Sequence, residues 1–141
     1  NPSLEGFGNI ITLICYEILF TDEIVKRISK NTNLLINITN DAWFGKTIGP
    51  YQHLALARIR AVELGLPLAR VANTGISAYV SPYGEIIGTI PLDSEGVKTF
   101  NLISPLKHTL YKTYGNYIFI VSILILLIIN TLYNFSYKKE K

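Results

Sequence analysis

The chain has 141 residues, a formal net charge of +3 and a hydrophobic content of 49%. That length fits about one domain, and a small positive charge with no basic stripe of stacking aromatics excludes a nucleic-acid partner. Cys15 is the single cysteine, which excludes an intrachain disulfide, and there is no methionine. The chain is therefore expected to be a piece of a longer product whose upstream part is missing.

In chain order, residues 9–14 form an apolar, β-branched run, the pattern of a buried strand. Cys15 stands at its exit, with Glu17 two residues on. Position alone leaves two readings of Cys15 open. It is a small buried hydrophobe, or it is a nucleophile, because a thiolate is the strongest one a side chain offers. Thr21-Asp22-Glu23 opens a helix with a capping hydroxyl and two acids in its first turn. Ile24, Val25 and Ile28 form its inward face, and Lys26, Arg27 and Lys30 its wet face.

Residues 34–38 read as a second buried strand, followed by a loop over 39–49. Asn40 and Asp41 lie at the strand exit, which suits a site loop or plain turn chemistry. Trp43 and Phe44 form an aromatic pair that lines an apolar pocket, or packs in a core or on a membrane surface. Pro50 opens a helix that runs to about residue 64. Leu54, Ala57, Ala61 and Leu64 recur in it at helical spacing, and Gly65 and Pro67 end it. His53 is either a base or a polar helix position, and Arg60 and Glu63 read as a structural ion pair.

Strands follow at 68–72 and 76–81. The turn Pro82-Tyr83-Gly84-Glu85 leads into a strand over 85–90, and 97–102 closes the set. In Asn73-Thr74-Gly75, Gly75 permits a turn that a Cβ would block. No His, Cys or carboxylate cluster has metal-ligand spacing, and no Gly-rich loop cradles phosphate, so neither metal nor cofactor is expected. Early alternation of strands and helices, then successive strands, predicts an α/β layered domain with a partly parallel, partly antiparallel sheet.

Residues 113–137 carry no charge. As a helix, 117–133 would span roughly 25 Å, near the thickness of a hydrocarbon core. Tyr114, Tyr117, Tyr133 and Tyr137 sit at its two ends, as interfacial aromatics do. The run is apolar all round, which predicts a transmembrane helix rather than a buried core helix. Lys138, Lys139 and Lys141 follow it, and Lys107 and Lys112 precede it. The excess of positive charge puts the C-terminus in the cytoplasm and residues 1–112 outside.

Cys15-Tyr16-Glu17, Thr39-Asn40-Asp41-Ala42-Trp43-Phe44-Gly45, Ile48-Gly49-Pro50-Tyr51-Gln52-His53, Ala57-Arg58-Ile59-Arg60-Ala61-Val62-Glu63, Ala72-Asn73-Thr74-Gly75-Ile76-Ser77 and Pro82-Tyr83-Gly84-Glu85 occur in that order, ahead of one C-terminal hydrophobic helix. Together they closely resemble the bacterial apolipoprotein N-acyltransferases, a membrane branch of the nitrilase superfamily. The resemblance implies the second half of an αββα sandwich followed by one C-terminal transmembrane helix. Residues 1–104 are then the C-terminal part of the nitrilase-like domain, 105–113 a linker, 114–137 the membrane helix and 138–141 a basic tail.

The resemblance also implies a Glu, Lys and Cys triad at the bacterial inner membrane, with the soluble domain on the periplasmic side. Cys15 matches the nucleophile, the Tyr16 backbone amide the oxyanion donor and Glu17 a supporting carboxylate. The base Glu and the oxyanion-stabilising Lys belong to the missing N-terminal half; Glu5, Glu17 and Lys46 do not match them. Trp43, Phe44, Asn40, Asn73 and Gly75 are the expected substrate-binding residues. The implied partners are a phospholipid acyl donor, a diacylated lipoprotein acceptor and the membrane. A membrane-tethered amidase and a non-catalytic remnant of a split gene are the alternatives.

Overall fold

Among the described residues of the computed structural model, six strands form one sheet whose order follows the chain: β1 (Ser3–Leu4), β2 (Gly8–Ile14), β3 (Thr32–Asn40), β4 (Leu68–Asn73), β5 (Ser77–Val80) and β6 (Ile86–Ile90). The structure describes residues 3–4 and 8–139, so Glu5 and the end of the basic tail lie outside the described residues. The pairs β2/β3 and β3/β4 are parallel; β1/β2, β4/β5 and β5/β6 are antiparallel. The mixed sheet expected from the sequence is therefore present. The two parallel steps are bridged by α1 (Thr21–Arg27) and α2 (Gly49–Leu64), because parallel neighbours need a crossover.

Both helices cover the same face of the sheet. Ile24 of α1 and Leu54, Ala57, Ala61 and Leu64 of α2 share one core with Ile11, Leu13, Leu35, Leu68, Ala78 and Val80. The two alanines bring the α2 backbone close to the sheet. Pro50 lies in the first turn of α2, and Gly65 ends it in the left-handed conformation, at φ 62°. The opposite face is bare at its centre. Ile14, Ile38 and Val71 are aligned across β2, β3 and β4 and are 63%, 51% and 56% exposed. One helix layer and one sheet layer are thus present, and the further two layers of the expected sandwich are not supplied by the described residues.

Several details differ from the sequence expectation. Thr21 does not cap α1. A 3-10 turn over Cys15–Leu19 runs almost directly into the helix, so Phe20 takes the cap position and Thr21 is buried as the first helical residue. Of the expected inward face, Ile24 is buried, Ile28 follows the helix and Val25 is exposed. The expected strand at 97–102 does not form. Contacts to the Tyr79 side chain, not strand pairing, hold it: Phe100 stacks on Tyr79 at 5.1 Å, and the Ile103 amide donates to the Tyr79 hydroxyl at 2.9 Å. Phe100 also sits so close to β6 that a Cβ at Gly88 would lie 2.7 Å from its ring.

The expected linker contains a short helix, α3 (Leu110–Tyr114), capped by Thr109, whose hydroxyl accepts from the Lys112 amide at 3.0 Å. The tail is helical as expected: α4 covers Tyr117–Lys139. Its described apolar side chains are all exposed, so it is not a buried core helix of this chain. The expectation of a transmembrane helix is not met at this level, because among the described residues no helix is long and apolar enough to cross a membrane. The side chains of α4 are described without a break only over 117–133.

Candidate active site

The C-terminal ends of β2, β3 and β4 point the same way and carry Cys15, Asn40 with Asp41, and Asn73 with Thr74. Ligands of open α/β sheets bind at such strand ends. Cys15 terminates β2 with φ 48°, in the left-handed region that a side chain disfavours. Such strain persists only where the surroundings over-determine it, and it clusters at functional sites. Here the backbone is pinned from two sides. Glu17 Oε2 accepts from the Ile14 amide at 2.8 Å, and Asn37 Nδ2 donates to the carbonyls of Leu13 and Cys15, each at 3.2 Å.

Behind this elbow lies a buried polar network. Asn37 and Arg70 are register partners across β3 and β4, on the helix-covered face. The Arg70 guanidinium is buried, donates from Nη1 to Asn37 Oδ1, and donates from Nη2 to Asp41 Oδ2 at 2.7 Å. Asp41 Oδ1 accepts from the Thr39 hydroxyl at 3.2 Å and lies 2.9 Å from His53 Nδ1. Arg70 Nη2 is 3.1 Å from the same ring nitrogen. The shorter contact makes Nδ1 the donor to Asp41, and Nε2 is buried with no hydrogen-bond partner among the described residues. Burial pulls the Arg70 guanidinium below its ordinary value; Asp41, and then Cys15, pull it back up. It stays charged, since an arginine does not deprotonate in proteins.

The network returns to the elbow through aromatic rings. Tyr16 stacks on His53 at 5.0 Å, and Phe44 meets both rings edge-on at 6.3 and 6.1 Å. Asn40 Oδ1 accepts from the Ala42 amide at 3.1 Å and from Asn73 Nδ2 at 3.3 Å, tying the ends of β3 and β4 together. Gly75 is needed for close approach: a Cβ there would lie 2.5 Å from Asp41 Oδ2.

The structure therefore brings together Cys15, Tyr16, Glu17 and Phe44, with Asn40, Asn73 and Gly75 at the adjoining strand ends. Trp43 stands apart, 88% exposed, so it lines no pocket and packs in no core within this chain. Sequence reasoning missed Asn37 and Arg70. It also read Asp41 as possible turn chemistry and His53 as a polar helix position, whereas both are buried network members. The overlooked signal was polarity at an inward strand position. Asn37 among Leu34, Leu35, Ile36 and Ile38, and Arg70 among Leu68, Ala69, Val71 and Ala72, each demand a buried partner. Arg60 and Glu63 do pair, at 2.8 Å as expected, with burial raising the Glu63 carboxyl and Arg60 opposing it.

Residues 4–104 match the carbon-nitrogen hydrolase family. Proteins named apolipoprotein N-acyltransferase are similar to this chain. That of Rhizobium etli (strain CIAT 652) is 57% identical over 94 residues, covering 67% of this chain and 17% of its own length. That of Rhodopseudomonas palustris is 47% identical over 116 residues, covering 82% and 21%. The Haemophilus influenzae relative is 41% identical over 116 residues, covering 82% and 22%. The chain thus spans about a fifth of the length of the curated relatives it matches.

Among solved structures, an amidase from Nesterenkonia sp. aligns with a TM-score of 0.51 and 25% identity, over 67% of this chain and 37% of that one. A carbon-nitrogen hydrolase from Helicobacter pylori G27 aligns with a TM-score of 0.52 and 18% identity, over 67% and 43%. With the α/β layers, the mixed sheet and a family match over most of its length, this chain belongs to the carbon-nitrogen hydrolase family.

Proposed function

We propose that this chain is the nucleophile-bearing part of a membrane-bound N-acyltransferase. It moves a fatty acyl chain from a phospholipid to the α-amine of a diacylated lipoprotein's N-terminal cysteine. The observation that carries this reading is Cys15 on a strained strand exit, at φ 48°, in a chain whose relatives at 41–57% identity are named for that activity.

The Cys15 thiolate attacks the ester carbonyl carbon and forms a tetrahedral oxyanion. The Tyr16 backbone amide donates to that oxyanion. Collapse expels the lysophospholipid alkoxide, which takes up a proton, and leaves the acyl group on sulfur as a thioester. The acceptor amine then attacks the thioester carbon through a second oxyanion. An amide forms, the amine loses its proton and the cysteine sulfur leaves. The base Glu and the oxyanion-stabilising Lys that the family resemblance implies come from sequence outside this chain. Glu17 shapes the elbow through the Ile14 amide, and Phe44, beside Tyr16, borders the acyl group.

On this reading the whole charge-free run 113–137, whose side chains are described without a break only over 117–133, crosses the inner membrane, with residues 1–112 on the periplasmic side and the C-terminus cytoplasmic. Its exposed apolar side chains and the lysines that trail it support this. Both substrates are lipids confined to the bilayer, which gives the anchor its purpose.

The test is Cys15→Ala and Cys15→Ser in the full-length protein, assayed with a labelled phospholipid and searched for an acylated Cys15 peptide by mass spectrometry. Wild type accumulates the thioester and the Ala variant does not. An Ala variant that turns over at the wild-type rate rules the reading out. The amidase likeness supplies a second reading, in which water takes the acyl group from the same thioester. Turnover of soluble amides with none of the phospholipid would select it.

A further inference from the structure

We infer that Arg70 is a positioning residue for the nucleophile, acting on the Cys15 elbow through Asn37 while Asp41 and His53 fix the guanidinium from behind. The inference rests on the reading of Cys15 as the nucleophile and goes beyond it, to what holds that nucleophile in place.

The chain of contacts is short and wholly buried in its middle. Leu13, Asn37 and Arg70 are successive register partners across β2, β3 and β4. The Asn37 amide nitrogen holds the carbonyls of Leu13 and Cys15, one on each side of Ile14. Asn37 can do this only with its Oδ1 turned the other way, and Arg70 Nη1 donates to that oxygen. The guanidinium thereby selects the orientation of the amide; an amide flipped end for end would set its NH₂ against a cation. A second bond, from Nη2 to Asp41 Oδ2, stops the guanidinium from turning, and His53 and Thr39 hold the other Asp41 oxygen. His53 in turn stacks on Tyr16, whose amide is next to the nucleophile. The network touches both the carbonyl of Cys15 and the ring of Tyr16, so it reaches the elbow from its two sides.

Apolar side chains at 70 and 41 together would fill this space without the cost of burying two charges. Replacing buried ion pairs by apolar groups is often neutral or stabilising. An arginine here is therefore poorly explained by stability alone. Its planar fork, which reaches two acceptors at fixed angles, is what a lysine lacks.

The experiment uses the full-length enzyme with four substitutions: Asn37→Asp, Arg70→Lys, Arg58→Gln and Cys15→Ala. Asn37→Asp keeps the size and the contact to Arg70 but loses the donor to the elbow. Arg70→Lys keeps the charge but not the fork, and serves if Asn37→Asp does not fold. Arg58, which donates to the Gly84 carbonyl at 3.1 and 2.8 Å away from the elbow, is the control for lost stability. The measurements are kcat, KM and the rate of Cys15 alkylation by iodoacetamide, each per folded molecule. Asn37→Asp and Arg70→Lys are expected to lower kcat by roughly tenfold to a hundredfold, as a slight misplacement of a reacting group does. KM stays within about twofold, since no substrate contact is lost. Alkylation should slow in both variants but not in Arg58→Gln. Wild-type kcat in both folded network variants, or an equal loss in Arg58→Gln, overturns the inference. Activity in Cys15→Ala overturns the reading of the nucleophile instead, so the two failures are distinct.

Discussion

Asn37 and Arg70 face each other across the parallel pair β3/β4, and their side chains are joined by a buried hydrogen bond on the face covered by α1 and α2. From that contact polar bonds run in two directions, to the backbone of the Cys15 elbow and to the Asp41–His53 pair. A carbon-nitrogen hydrolase layer thus keeps, in the middle of an apolar core, a set of polar groups aimed at one strand end.

The buried pair of Arg70 and Asp41 gives the first prediction. Arg70→Met leaves the Asp41 carboxylate without its cation in a site where neither side chain is exposed. Breaking one side of such a pair typically costs about 3–5 kcal/mol. The double variant Arg70→Met with Asp41→Asn removes both charges and should recover much of that loss. Denaturant unfolding of wild type, single and double variants measures it; equal losses in single and double would show that the pair is not the cause.

Gly75 and Gly45 make a matched contrast. A Cβ at Gly75 would meet Asp41 at 2.5 Å, whereas a Cβ at Gly45 meets nothing within 4 Å but sits at φ 56°. Gly75→Ala is expected to cost about 1–3 kcal/mol by overpacking and to lower activity, because Asp41 must shift. Gly45→Ala should cost about 1–3 kcal/mol through backbone conformation alone, since φ 56° with ψ −152° is a region essentially reserved for glycine, with activity retained. Thermal unfolding and turnover of both variants decide this.

Trp43 is 88% exposed. Trp43→Ala should therefore change stability by no more than about 0.5 kcal/mol, as surface substitutions do. If the ring meets lipid, the same variant raises KM for a phospholipid donor and leaves kcat unchanged. A large loss of stability would mean that Trp43 is covered in the full-length protein.

Glu63 carries a pH dependence with a definite sign. Burial raises its carboxyl above the ordinary value, more than Arg60 lowers it. A raised acid binds its proton more tightly folded than unfolded, so folding is favoured where the group is protonated. That contribution is present below the unfolded value and is lost as pH rises through the carboxylate range to the folded value. Glu63→Gln should remove this slope. Unfolding midpoints of wild type and variant across that range test it, and parallel curves would refute it.

The membrane reading of α4 is tested by charge and by topology. Ile125→Arg puts a cation near the middle of the helix, where insertion scales assign about 2.5–3.5 kcal/mol against it, and should reduce membrane retention on carbonate extraction. A reporter active only in the periplasm, fused after Lys141, should stay silent. Signal from that fusion reverses the proposed orientation.

Much of this was legible in the chain itself. The strands around Ile11, Leu35 and Leu68, the α2 face of Leu54, Ala57, Ala61 and Leu64, and the stops at Gly65 and Pro67 follow from periodicity and local backbone preference, which need no tertiary knowledge. The position of Cys15 at a strand exit was readable for the same reason. Its φ of 48° was not, because a left-handed cysteine depends on Glu17 and Asn37 holding the turn. Residues 97–102 carried a strand-like pattern, yet they lie along the sheet by the Phe100–Tyr79 contact, a choice made by side chains far apart in sequence. Asp41, His53 and Arg70 are separated by 12 to 29 residues and become one buried cluster only when β3, β4 and α2 pack together. Local patterning sets which segments are strands and helices; it carries no record of which polar groups will share a buried space, because that depends on register and on the cost of leaving each one unpaired.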